Sequence, residues 1–142
     1  LSNYNIIHQT GKNDFPLFKK MNKSNPNYFA SDYFTTKDFA WIINSADLII
    51  GRSGANTSHE IVAFSKKSIL IPLPQSQQDE QLLNALWVKK KLDHQTVVIN
   101  QTDLNPKSLF AAITSLSQVP ASTTKTKITP NLKLLKLIYE II

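Results

Sequence analysis

Residues 46–60, Ala-Asp-Leu-Ile-Ile-Gly-Arg-Ser-Gly-Ala-Asn-Thr-Ser-His-Glu, constrain this chain more than any other stretch. Leu48, Ile49 and Ile50 read as a buried strand that stops at a glycine turn and passes straight into a helix. Two of the three glycines in the chain, Gly51 and Gly54, bracket the turn, and the single arginine, Arg52, lies between them. A strand-to-helix turn of this kind aims free backbone N–H groups and the positive end of a helix dipole past the sheet edge, which suits a phosphate or another anion.

The remaining periodicity extends this into an α/β fold. Residues 4–8, 28–34, 48–50, 68–73 and 96–99 read as strands. The helical period predicts helices over 15–21, from Thr35 or Thr36 through Ala46, over 55–64, over 79–92 with Leu82, Leu83, Leu86 and Trp87 inward, and over 106–116. Strands alternating with helices of this length predict βαβ units and a Rossmann-like parallel sheet of about five to six strands. In such sheets ligands bind beyond the carboxyl ends of the strands. The turns at Gln9-Thr10-Gly11, Thr35-Thr36, 51–55 and 74–81 all fall there.

A chain of 142 residues predicts one domain able to bury roughly two-thirds of its unfolded surface. Residues 1–119 are expected to form it, followed by a polar linker over 120–130 and an amphipathic helix over 131–142. No run of about 18 apolar residues suggests a membrane span. Leu1 opens a polar segment, so no signal peptide is expected, and its not being methionine suggests a piece of a longer chain. With no cysteine there is no disulfide or thiolate chemistry, which fits a reducing compartment. The net charge of +6 comes from scattered lysines and one arginine. Solvated faces account for it better than a nucleic-acid reader, which would use arginine forks, so no nucleic-acid partner is expected.

Each candidate constellation has a plain structural reading beside the chemical one. The segment 53–57 either cradles a phosphate or is an ordinary helix cap; it matches neither a Walker loop nor a dinucleotide fingerprint. Glu60 shares a helix face with Asn56 and Thr57 and suits a pair of ribose hydroxyls, but Thr57-Ser58-His59-Glu60 is also a capping-box pattern. Asp79, Glu80 and Gln81 either meet sugar hydroxyls or suit the dipole of their own helix. Asp47 and Arg52 read as a local pair. His8 ends a strand and is a candidate for facing the cleft, whereas His59 is expected to be exposed. His8, His59 and His94 lack metal-ligand spacing, so neither a metal nor another cofactor is expected.

Taken together these residues resemble a known family. Residues 46–61 are similar to the A-D-L-V-I-x-R-S/A-G-A-x-T-x-x-E-I stretch of the MurG-type N-acetylglucosaminyltransferases of glycosyltransferase family 28. Ile71-Pro72-Leu73-Pro74 followed by Asp79, Gln81, Asn84 and Ala85 resembles the family's P-x-P-x(4)-D-x-Q-x-x-N-A segment. Ile7-His8-Gln9-Thr10-Gly11-Lys12 resembles its I-H-Q-T-G-K strand end, and Phe39-Ala40 its D-M-A helix. The likeness covers about residues 4–117. It implies the C-terminal, donor-binding half of a two-domain GT-B enzyme that holds UDP-N-acetylglucosamine. The family's glycine-rich loop and acceptor-binding N-terminal domain are not in these residues.

By that resemblance Ser53, Gly54, Ala55 and Thr57 line the diphosphate and Glu60 holds the ribose. The backbone near Thr36 meets the uracil edge. Glu80 and Gln81 contact the sugar, Asp79 and Asn84 shape their turn, and Arg52 stands beside the site without an assigned contact. Asn56 and Glu80 depart from the family's usual residues. The implied whole enzyme inverts at the anomeric carbon and passes N-acetylglucosamine to a lipid-linked muramoyl-pentapeptide in peptidoglycan synthesis. Acceptor and general base belong to the N-terminal domain, and the protein lies in the cytoplasm at the inner face of the plasma membrane. The alternatives are a GT-B transferase for another glycolipid or dolichol-linked acceptor, and a nucleotide-sugar-binding or epimerase-like module.

Overall fold

The computed structural model describes residues 4–74 and 79–120. The expected linker after Pro120 and the terminal helix lie outside the described residues. The chain divides into two compact units, Leu1–Ser45 and Ala46–Ile142.

In the first unit β1 (Ile6–Gln9) and β2 (Tyr28–Ser31) pair in parallel, with His8 opposite Ala30. They are joined by α1 (Phe15–Lys19) and α2 (Met21–Ser24). Helical dihedrals continue through Lys20 between these two short helices, so the predicted 15–21 helix runs one turn longer than its apolar spacing suggests. Gly11 opens this crossover at φ +75°, where a side chain would be strained, and its carbonyl accepts the Phe15 N–H. His8 does not stand free at the sheet edge. Its Nδ1 lies 2.6 Å from the Tyr28 hydroxyl, and its ring meets Phe18 edge-on at 4.8 Å. Burial raises the Tyr28 phenol above its ordinary pKa. Then α3 (Thr36–Ser45) begins under a cap from Thr35, whose Oγ1 accepts the Asp38 N–H and donates to Asp38 Oδ2.

The second unit holds β3 (Leu48–Gly51), β4 (Lys67–Leu70) and β5 (Thr96–Val98), all parallel in the order β3-β4-β5. Between them run α4 (Ala55–Ala63) and α5 (Glu80–Leu92), and α6 (Pro106–Ser117) follows. The strand period of two divides the core. Leu70 packs with Ile61 of α4 and Ala85, Val88 and Leu92 of α5. Its neighbours Ile69 and Ile71 pack with Ile99 and with Ala112 and Leu116 of α6. Helices therefore cover both sheet faces, and central β4 reads as a continuous apolar run. Ser68, also fully buried, resolves its polarity against Thr96 at 3.2 Å. The ladder of β4 ends earlier than predicted, at Leu70, because Pro72 and Pro74 have no N–H to continue it.

Two burial expectations are overturned. Ile50 is 45% exposed, on the strand at the end of the β3-β4-β5 order. On α5, Leu82, Leu83 and Leu86 are exposed; the inward stripe is Ala85, Val88 and Leu92, joined at its edge by Trp87. The later turns of α5 carry this smaller-residue stripe because they lie against α4 and the sheet.

Candidate functional site

The site is built where β3 and β4 leave the sheet. After Gly51 the chain passes through Arg52 and Ser53 to Gly54, the N-cap of α4, at φ −63° and ψ 154°. Among the described residues no side chain caps this helix, so its first-turn N–H groups and the positive end of its dipole face outward. A Cβ at Gly54 would meet nothing within 4 Å. Glycine here therefore relieves no clash within the protein; it leaves open the space beside the first turn.

Glu60 lies further along the same helix. The capping-box reading of Thr57 and Glu60 fails, because α4 already starts at Ala55 and Thr57 is inside its first turn. Instead, Glu60 Oε2 is buried without a hydrogen-bond donor, and desolvation pushes the carboxyl above the usual carboxylate range. His59 is exposed as expected; it bonds the Ala55 carbonyl through Nδ1 and stacks on Trp87 at 4.8 Å.

The residues at the turn are tied to the next loop. Arg52 does not pair with Asp47. It donates to the Ile71 carbonyl at 3.0 Å and approaches that of Pro72 at 3.5 Å, fastening the exit of β3 to that of β4. Ser53 is fully buried and its hydroxyl donates to the Gln81 carbonyl at 2.6 Å. That bond leaves its backbone, rather than its hydroxyl proton, for an anion. Asn84 Nδ2 donates to the Ser53 carbonyl at 3.1 Å, and Gln81 Oε1 accepts the Leu73 N–H at 3.0 Å. Glu80 is exposed and accepts from Asn84 at 3.5 Å. Asp79 precedes α5 in the left-handed region at φ 54°, which a short polar side chain tolerates. A shallow cleft at the carboxyl ends of β4 and β5 is lined by Pro72, Leu73, Pro74, Asp79, Leu82 and Asn100, among others.

Arg52, Ser53, Gly54, Ala55, Thr57, Glu60, Asp79, Glu80, Gln81 and Asn84 all belong to the second unit, where hydrogen bonds join Ser53 to Gln81 and Asn84, and Asn84 to Glu80. Thr36 belongs to the first unit, exposed at the start of α3. Sequence reasoning missed the carbonyls of Ile71, Pro72, Ser53 and Gln81 and the N–H of Leu73. These are backbone groups with no residue signature. Among the described residues no group of three or more His, Asp or Glu could hold a metal ion, and no helix is long and apolar enough to cross a membrane.

Comparison with known proteins gives this geometry a lineage. The UDP-N-acetylglucosamine–N-acetylmuramyl-(pentapeptide) pyrophosphoryl-undecaprenol N-acetylglucosamine transferase of Clostridium kluyveri is 35% identical over 114 residues, 80% of this chain. The protein of the same name from Prochlorococcus marinus is 33% identical over 112 residues, 78% of this chain. The chain spans 31% of the length of each. The crystal structure of Acinetobacter baumannii MurG shares the fold, with a TM-score of 0.63 and 22% identity over 95% of this chain and 41% of that one. Residues 1–139 match the glycosyltransferase family 28 C-terminal domain, and the chain belongs to that family.

Proposed function

We propose that this chain is the donor-binding domain of an inverting glycosyltransferase that takes N-acetylglucosamine from UDP-N-acetylglucosamine. The observation that carries the proposal is Glu60. It is a carboxylate with a buried, undonated oxygen, on a helix whose first turn is itself uncapped. An acceptor and a row of donors on one helix fit a nucleotide diphosphate, with ribose hydroxyls on Glu60 and the diphosphate at the N–H groups of Gly54, Ala55 and Thr57. Gln81 and Glu80 meet the sugar. Ser53, Arg52, Asp79 and Asn84 shape the two turns.

In this reading the domain's catalytic share is electrostatic. As the acceptor hydroxyl attacks the anomeric carbon, the sugar–oxygen bond breaks and negative charge grows on the departing UDP. The fixed N–H groups and dipole of α4 stabilise that charge. The names of the relatives support one acceptor class for this reading: a pyrophosphoryl-undecaprenol-linked muramyl pentapeptide. Acceptor and general base are assigned to a separate N-terminal domain of the whole protein, which works at the cytoplasmic face of the plasma membrane. Residues 1–119 form the donor domain.

Calorimetric titration with UDP tests the assignment. Glu60→Gln should weaken UDP by about 1.5–3 kcal/mol, the scale of hydrogen bonds to a charged group. Unchanged affinity would remove Glu60 from the ribose site.

A further inference from the structure

Ser53 is joined to the first two turns of α5 in both directions. Its hydroxyl donates to the Gln81 carbonyl at 2.6 Å, and its own carbonyl accepts Asn84 Nδ2 at 3.1 Å. Gln81 carries the connection on, since its Oε1 holds the Leu73 N–H at 3.0 Å. One buried serine thus links the turn before α4, the start of α5 and the exit of β4.

The buried apolar packing of α5 lies elsewhere along the helix. The side chains that seat α5 are Ala85, Val88 and Leu92, in its later turns, while Leu82 and Leu83 at its start are exposed. The start of α5 is therefore tied to the turn before Gly54 chiefly by these polar bonds.

We propose that Ser53 and Asn84 are positioning residues that fix the spacing between an anion-binding turn at α4 and a sugar-reading turn at α5. They thereby set how much affinity a nucleotide-diphosphate sugar gains over the bare nucleotide diphosphate. The inference rests on the donor-binding reading above. A ligand that spans two elements gains from both only when their spacing is preset; otherwise ordering the second element cancels part of its contribution. Of these two turns UDP uses only that at α4, whereas UDP-N-acetylglucosamine uses both.

The test compares wild type, Ser53→Ala, Asn84→Ala and the double variant. Each is titrated with UDP and with UDP-N-acetylglucosamine, and amide exchange is followed residue by residue without ligand. The ratio of the two affinities should fall roughly three- to tenfold in each single variant, the range of one lost hydrogen bond. The double variant should fall short of the summed effect, because both bonds close one link. The Leu73 amide should exchange faster while those of β4 stay protected, which separates a loosened turn from a failed fold. Equal weakening of both ligands, an unchanged ratio, or unchanged Leu73 exchange each overturns the inference. A wild-type chain that binds no UDP overturns the donor reading and the sugar role with it. A wild type that binds UDP while the variants keep its ratio overturns the positioning role alone.

Discussion

At Glu60, stability and function pull in opposite directions. Burial raises the folded-state pKa of its carboxyl, so its charged form is disfavoured in the folded chain. Its contribution to stability is full below the ordinary carboxylate pKa and is lost as pH rises through the raised folded value. Glu60→Gln is therefore expected to melt higher than wild type at neutral pH. The gain should vanish as pH falls below the usual carboxylate range, in thermal unfolding followed against pH. A variant less stable than wild type at neutral pH would mean the carboxylate has a structural partner. Arg52 makes the opposite case: it is exposed, yet its guanidinium fastens two strand exits. Arg52→Ala should cost about 1 kcal/mol in denaturant unfolding, with solvent moderating the effect. The motif made both residues visible in the sequence. What each one touches was not visible, because Arg52 binds main-chain carbonyls 19 and 20 residues away.

At the level of elements, α5 shows how far a pattern of leucines can mislead. Leu82, Leu83 and Leu86 look like a core stripe, but Leu83 is 61% exposed while Leu92 is 9% exposed. Which stripe turns inward depends on where α4 and the sheet lie. Leu92→Ala should cost about 2–5 kcal/mol, against less than about 0.5 kcal/mol for Leu83→Ala. Equal effects of the two substitutions in urea unfolding would contradict this face assignment. In α6 local sequence suffices: Asn105, Pro106 and Ser108 form a capping box with proline in the first turn. Asn105→Ala should cost about 1 kcal/mol, measured the same way.

For the whole molecule, the two units differ in how they are held. Among the described residues the second has a three-stranded sheet covered on both faces, whereas the first has one strand pair and buries Tyr28, Ala30 and Ile43. Amides of β1 and β2 should exchange through openings of lower free energy than those of β4. Matching protection in both units would show one cooperative structure instead. The sequence by itself determined the order of strands and helices, the parallel class and the glycine turn before α4. These depend on spacing along the chain, on proline and glycine geometry, and on apolar runs, all of which are local. Only the tertiary structure decided that Ser53 would bond to Gln81, that Arg52 would reach past Asp47 to Ile71, and that Glu60 would be buried without a donor. Those outcomes depend on backbone groups from separate elements meeting in space, and no residue type announces where a carbonyl will lie.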